Sequence, residues 1–291
     1  MSAPTFGIAP APRTLQTVGR LQRDDPGPGT SIVRLTGRTL GHDLDPFIMA
    51  DMFSMPTAVF GPHPHAGFSA VTYLLEQSPG GVRNRDSLGL DVTIEPGAIH
   101  WLQAGSGIVH EETPLELGVP AVGFQIFVNL AAAHKFTPAR VLRAGPGEIP
   151  RVPVGEKALA RVVVGALGET RAAIAPLTPV NLFDVTVQPG GVATVPMPRG
   201  HNGWFSVIEG AVRLGDETVE KGWAGVPNDD GDTLMFAAAG ETPAQVLIGS
   251  GVPLGEPLFS YGPFMMNSRE QVAQVIEDYR AGKMGSVTPL Y

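Results

Sequence analysis

Two short motifs of this chain carry side chains that bind metal ions. His63 and His65 stand two residues apart, and His110 and Glu112 repeat that spacing further along the chain. In a β-strand, the side chains of residues i and i+2 point to the same face. If both motifs lie in strands of one sheet or barrel, we expect three imidazoles and one carboxylate to converge on one point. This donor set suits a divalent first-row metal: iron(II), nickel, cobalt, manganese, copper or zinc.

Four protein ligands on an octahedral metal leave two open positions, which is typical of a catalytic site and not of a closed structural one. These positions suit water, or O₂ together with a bidentate enolate such as a flavonol. Glu112 is the candidate catalytic base for the substrate hydroxyl, because it stands at the metal and keeps a spare oxygen. The alternative is that Glu112 is a ligand with no role in proton transfer. Aromatic residues that could line the pocket, or belong to the core, are Phe53, Phe60, Phe68, Trp101, Phe124 and Phe127.

The composition limits the classes of protein that this chain can belong to. Its 291 residues include no cysteine, which excludes disulfides, thiolate metal sites and iron–sulfur clusters. The 37 glycines and 28 prolines, with 43% hydrophobic residues, favour many short strands and tight turns. A net charge of −8 argues against direct binding to nucleic acid. The sequence has neither a secretory signal nor an apolar run of about 18 residues, so we expect a cytoplasmic protein that does not bind membranes.

Short hydrophobic segments separated by turns predict an all-β sandwich or barrel. A proline- and glycine-rich stretch over 138–153 is the predicted connector between an N-terminal domain, 1–137, and a second domain, 154–291. The composition of Asp24–Thr30 predicts a turn. One long helix is expected near the C-terminus, capped by Ser268 with Gln271 and ended by Gly282. His201 lies in a weak internal repeat of the first motif, but without a second ligand beside it, so we expect the second domain to lack a metal.

Several further motifs are spread over most of the chain. They are Leu44-Asp45-Pro46-Phe47, His63-Pro64-His65 with Gly67-Phe68, Val71-Thr72-Tyr73, Arg85-Asp86-Ser87-Leu88-Gly89, Ala104-Gly105 through Gly107-Ile108-Val109-His110, and Tyr261-Gly262-Pro263-Phe264 with Met266-Asn267. In combination they resemble the pirin family, a two-domain branch of the cupins. This resemblance implies two cupin-like β-barrel (jelly-roll) domains packed together. It also implies a metal in the first domain, commonly iron, with His63, His65, His110 and Glu112 as its ligands.

The resemblance leaves more than one function open. Some bacterial members of the family resemble quercetin 2,3-dioxygenase, which opens a flavonol ring with O₂. Animal members resemble iron- and redox-dependent regulators that bind a protein partner. A metal-dependent hydrolase or isomerase is a third hypothesis, which the sequence supports less than the other two. The chain departs from the family pattern at Ala66, Asn84 and His100, where Arg, His and Gln are expected. None of these departures removes a ligand, but each one can change the pocket.

Overall fold

In a computed structural model of the chain, residues 11–291 are described, and they form twenty-four β-strands, two α-helices and two 3₁₀ turns. The first strands are β1 (Leu15–Arg20), β2 (Gln22–Gly27), β3 (Thr30–Arg34), β4 (Phe47–Met55), β5 (His63–His65), β6 (Phe68–Leu74), β7 (Val82–Asp86), β8 (Asp91–Ile94), β9 (Ile99–Gln103), β10 (Ile108–Pro114), β11 (Ala121–Asn129) and β12 (Arg140–Ala144). The others are β13 (Arg151–Val164), β14 (Ala166–Leu167), β15 (Thr170–Arg171), β16 (Val180–Pro196), β17 (Asn202–Glu209), β18 (Ala211–Leu214), β19 (Glu217–Glu220), β20 (Trp223–Pro227), β21 (Thr233–Ala238), β22 (Ala244–Gly251), β23 (Phe259–Tyr261) and β24 (Phe264–Met266). The α-helices are α1 (Gly37–Leu40) and α2 (Arg269–Arg280).

The strands form three large antiparallel sheets. A seven-stranded sheet, in the order β12-β9-β6-β11-β4-β3-β2, packs over a four-stranded sheet, β5-β10-β7-β8, and together they enclose the first barrel. A nine-stranded sheet contains most of the later strands and surrounds the second barrel. This architecture confirms the predicted all-β fold of two cupin domains with a C-terminal helix. Among the described residues, neither α-helix is long and apolar enough to span a membrane.

The seven-stranded and nine-stranded sheets pack against each other through buried apolar side chains. Along β6, Val71 and Tyr73 join a core cluster that includes Leu182 and Trp204 of the second barrel. The intervening Thr72 points the other way, into the first barrel, as strand alternation requires. The interior of the second barrel is filled by a separate cluster of buried aliphatic and aromatic side chains. The interior of the first barrel holds His63, His65, His110 and Glu112 among apolar side chains.

Both ends of the described chain cross the predicted division between the domains. Strand β1 pairs with β20 and so belongs to the nine-stranded sheet, although it lies inside the predicted first domain. The hairpin β23–β24 and helix α2 cover the outer face of the four-stranded sheet, where Val109 packs on Phe264 and Val272. The boundaries at 137 and 154 therefore remain predictions, and residues 1–10 lie outside the described residues. The stretch 138–153 contains β12, which pairs with β9 of the first barrel.

Glycines beside the two metal-binding motifs allow this covering segment to approach closely. Gly67 has φ +83°, and a Cβ at that position would lie 1.9 Å from the carbonyl oxygen of Met265. Gly107 has φ +130°, and a Cβ there would collide with the side chain of Met284. Both backbone conformations favour glycine, and both contacts leave no room for a side chain. The glycines thus fix the strand ends that carry the histidines against the C-terminal segment.

Two further predictions concern the C-terminal helix and the turn over Asp24–Thr30, and only the first is confirmed in full. Helix α2 begins after Ser268, whose side chain accepts a hydrogen bond from the backbone N–H of Gln271, and Gly282 follows its end with φ +74°. The predicted C-terminal helix and its cap are therefore confirmed. The prediction of a turn over Asp24–Thr30 is wrong for most of its length, because strand β2 extends to Gly27 and pairs with β3. Pairing with a neighbouring strand overrides the turn composition there.

Candidate metal centre

Strand pairing brings the two metal-binding motifs together inside the first barrel. Strands β5 and β10 are antiparallel, with His110 opposite His63 and Ile108 opposite His65. Directly opposed residues of an antiparallel pair project to the same face, with Cβ atoms about 5 Å apart. The three imidazole rings have centroid separations of 4.6 to 4.9 Å. Their candidate donor nitrogens all lie within 4.8 Å of one another, which confirms the predicted convergence of the histidines.

The hydrogen bonds of two rings fix which nitrogen is available to a metal. The Nδ1 of His63 donates to the carbonyl oxygen of Gly61 at 2.8 Å, and the Nδ1 of His110 donates to the Oδ1 of Asn84 at 2.9 Å. Each Nε2 therefore carries a lone pair. These two Nε2 atoms face each other at 3.1 Å. Because two lone pairs repel at this distance unless a cation lies between them, the donor set fits a divalent metal.

Burial keeps the histidines in the form that binds metals. Desolvation lowers the pKa of His63, and it lowers the pKa values of His65 and His110 well below the usual range. The neighbouring rings add to the effect on the last two, since positive charges close together repel. Neutral imidazole is the ligand form of histidine. The site therefore offers neutral nitrogen donors at ordinary pH.

The carboxylate of Glu112 lies in the same cavity, on the same face of β10 as His110. Its Oε1 accepts a hydrogen bond of 2.6 Å from the hydroxyl of Thr72 on the opposite sheet. Burial raises the pKa of Glu112 to about 7, and the Thr72 hydrogen bond opposes that rise. Among the described residues, the grouping of donor atoms within 4.8 Å contains the histidines alone. The role of Glu112 as fourth ligand or as base therefore stays a prediction.

The histidines and Glu112 line a cavity of about 250 Å³ between the two sheets of the first barrel. Its walls are largely apolar, with Arg34 and Asp51 contributing an ion pair of 2.6 Å. Of the six candidate aromatic residues, three line this cavity: Phe53, Phe60 and Phe127. The other three are buried in hydrophobic clusters: Phe68, Trp101 and Phe124. A concave site with apolar walls and a few polar groups is the usual form of a small-molecule pocket.

The other histidines of the described chain do not belong to this group of donor atoms. His100 lines a different cavity, and His42, His134 and His201 are absent from the cluster of donor atoms. Sequence reasoning missed the groups that hold the candidate ligands in place, Thr72 and Asn84. In the sequence, Thr72 belongs to a family motif and Asn84 departs from the family pattern, and neither position indicates a contact with a ligand. A signal for both exists in the strand alternation, because inward-facing polar residues in a buried strand require partners.

Two family models cover most of the chain. The model described as "Pirin" matches residues 30–128, and the model described as "Pirin C-terminal cupin domain" matches residues 182–285. The chain belongs to the pirin family. The first match contains all four predicted ligands, and the second covers strands of the nine-stranded sheet. The resemblance inferred from the motifs is thereby confirmed.

Relatives within the family align over nearly their whole length. The pirin-like protein of Caulobacter vibrioides is 36% identical over 273 residues, which are 88% of this chain and 94% of that protein. Human pirin is 31% identical over 278 residues, which are 94% of this chain and 93% of that protein. The crystal structure of a quercetin 2,3-dioxygenase from Acinetobacter baumannii superposes with a TM-score of 0.85 at 30% identity, covering 96% of this chain and all of that one.

The structure shows the contacts of two residues that depart from the pirin pattern, Ala66 and Asn84. Ala66 is fully buried against the C-terminal segment, in a cluster with Phe264 and Val272. Asn84 is fully buried and accepts the hydrogen bond from His110. An amide oxygen at this place fixes the imidazole so that its Nε2 points to the centre, as partners of metal-binding histidines do. The departure at position 84 therefore preserves the orientation of the ring.

Proposed function

We propose that this pirin is a metal-dependent dioxygenase that uses O₂ to open the ring of a flavonol or a similar enolic aromatic substrate. The observation that carries the proposal is the convergence of three histidine rings in a largely apolar cavity. The similarity to a quercetin 2,3-dioxygenase of known structure supports the same reaction class. Family membership alone does not decide the activity, because one fold supports several functions.

In this proposal the three histidines and Glu112 hold the metal, most simply iron(II). A divalent metal bound there polarises a coordinated oxygen of the substrate and lowers the pKa of its hydroxyl. The chain itself supplies orientation: the Gly61 carbonyl and Asn84 hold two imidazole rings through their Nδ1 atoms. Thr72 orients the carboxylate of Glu112 through Oε1, and the carboxylate oxygen that does not bind the metal would accept the substrate proton.

The cavity walls match a flat aromatic substrate with a polar rim. Phe53, Met55 and Phe127 provide apolar surface for a planar ring and exclude bulk water from the reacting edge. Arg34 and Asp51 line the same cavity and offer donors and an acceptor to the substrate's hydroxyl groups. A substrate with adjacent carbonyl and hydroxyl groups would then place these two oxygens toward the histidines. These features support a flavonol-like substrate class.

The test begins with protein loaded anaerobically with iron(II), nickel, cobalt, manganese or copper in turn. Quercetin and O₂ are then added, and the flavonol absorption band is followed. We expect the band to bleach with at least one metal. His65→Ala should abolish bleaching, while His201→Ala, which changes a histidine outside the cluster, should retain it. Absence of turnover with every metal would remove quercetin as the substrate.

A metal-dependent regulator that binds a protein partner is the second candidate. It is favoured by the contacts between the centre and the surface: Arg85 binds Glu111 and the carbonyl oxygen of Thr288, and Glu111 accepts from the N–H of Leu290. Glu111 adjoins Glu112, so a change at the metal can reach the C-terminal segment. Hydrogen exchange of residues 284–291 should then differ between the iron(II) and iron(III) forms. Identical exchange in both forms would reject this candidate.

A further inference from the structure

A second cavity opens at the other side of the first barrel. It has a volume of about 360 Å³ and lies between β8 and the strand pair β9–β12. A water molecule in the liquid occupies about 30 Å³, so this space is larger than one buried water requires. None of its lining residues lines the metal cavity. The two cavities therefore have different lining residues, although His100 lies opposite Thr72, which binds Glu112 of the metal cavity.

The cavity is lined by a buried side chain that lacks partners. His100 is 1% exposed, and neither of its ring nitrogens has a hydrogen-bond partner within residues 11–291. Burial lowers the pKa of His100 to about 4, so the neutral ring presents one N–H donor and one acceptor. Buried polar groups are normally hydrogen-bonded, and an unpaired imidazole facing a cavity points to a ligand there.

Strand pairing places a cation beside this ring. Arg143 on β12 is directly opposite His100 on β9, so both side chains project to the same face about 5 Å apart at Cβ. Arg143 is exposed and takes part in none of the ion pairs of the described chain. The cavity wall also contains one carboxylate, that of Glu95, which is likewise without an ion pair among these residues. Desolvation is the main cause of the lowered pKa of His100, and the positive charge of Arg143 adds to it.

We propose that this second cavity binds a small monocarboxylate, held by the guanidinium of Arg143 and the ring N–H of His100. Arginine binds carboxylates through two parallel N–H groups, and such charge-assisted hydrogen bonds are stronger than neutral ones. Val92, Ile94 and Ala98 add apolar surface to a wall that also contains Thr93 and Glu95, and this apolar part suits a short hydrocarbon body. The site does not depend on the metal or on the proposed reaction.

The experiment is a titration of the full-length chain, loaded with diamagnetic zinc, with sodium acetate at constant ionic strength. Backbone amide signals of 92–95 and 143–145 report the cavity by nuclear magnetic resonance. We expect saturable shifts of these signals with half-saturation of about 1–10 mM. Acetamide, which has the same shape without the charge, should produce none.

Three variants test whether acetate binds in this cavity and not elsewhere on the protein. Arg143→Gln should weaken acetate about tenfold or more, because the charge-assisted pair is lost. Glu95→Gln should strengthen binding severalfold, because a like charge is removed from the rim. Arg140→Gln, on the same strand but outside the cavity, should leave the affinity unchanged. The proposal fails if the cavity signals do not shift up to about 100 mM acetate, if acetamide shifts them equally, or if Arg143→Gln binds acetate as well as the unmodified chain.

Discussion

Replacing Thr72 by valine should weaken metal binding although Thr72 itself touches no metal. Its hydroxyl donates to Oε1 of Glu112 at 2.6 Å, while Oε1 of Gln125 lies further away at 3.2 Å. Thr72 is 2% exposed, so water cannot replace the lost donor. Valine keeps the shape and the β-branch of threonine and removes only the hydroxyl. If Glu112 is the fourth ligand, its carboxylate then loses the group that orients it.

The expected magnitude follows from the nature of this hydrogen bond. A hydrogen bond to a charged group contributes about 1.5–3 kcal/mol net. Since about 1.4 kcal/mol corresponds to a tenfold change in affinity, the dissociation constant should rise about 10- to 100-fold. Mutation of a residue that hydrogen-bonds to a metal ligand typically lowers the metal affinity by the same factor, about 10- to 100-fold. We therefore expect Thr72→Val to bind zinc at least about tenfold more weakly than the unmodified chain.

The assay is a competition between metal-free protein and a chromophoric chelator for zinc, which gives the dissociation constant directly. Thr72→Ser should retain most of the affinity, because it keeps the hydroxyl. Glu112→Gln should also weaken binding, and adding Thr72→Val to it should cause little further loss. This non-additivity is the signature of two residues that act through one interaction. Equal zinc affinity for Thr72→Val and the unmodified chain would refute the placement of Glu112 in the metal's ligand set.

Two further predictions concern the contacts that hold the barrels and the C-terminal segment together. Tyr73→Phe should lower the free energy of unfolding by about 1–3 kcal/mol, because the Tyr73 hydroxyl donates to the buried Asp184 of the second barrel at 2.6 Å. Tyr261→Phe, at a site 68% exposed, is the control and should change little. Lys135→Met should cost about 3 kcal/mol or more, since the fully buried ammonium donates to three oxygens that would lose their donor. Lys221→Met, which breaks an exposed ion pair, should cost less than about 1 kcal/mol. Denaturant titrations measure all four changes, and equal losses for Tyr73→Phe and Tyr261→Phe, or for Lys135→Met and Lys221→Met, would contradict the assigned contacts.

The convergence of the histidines could be predicted from the sequence because it depends on a local rule. Alternation in a strand places His63 and His65 on one face without any knowledge of the fold. The same rule places His110 and Glu112 on one face of a second strand, and the resemblance to the pirin family implies that all four residues bind one metal. The all-β class follows from the short hydrophobic segments and their turns for the same reason, since both are properties of neighbouring residues.

The remaining features depend on pairings between distant residues, which local patterns do not specify. Strand β1 joins the second barrel through Trp223–Pro227, about 200 residues away in sequence. Helix α2 has an amphipathic pattern, but the pattern does not indicate that its apolar face packs beside Val109. The pairing of Arg143 with His100 likewise appears only when β12 and β9 are adjacent. Such contacts require the three-dimensional structure.

The most direct measurement is the metal content of the purified protein and of two single variants, determined by elemental analysis after loading with iron(II) and removal of the excess. The unmodified chain and His201→Ala should each hold about one metal ion per chain, the number that a single octahedral or tetrahedral centre binds. His65→Ala should hold far less, because a ring of the central cluster is lost. Equal metal content in His65→Ala and His201→Ala would contradict the assignment of the metal to the first barrel.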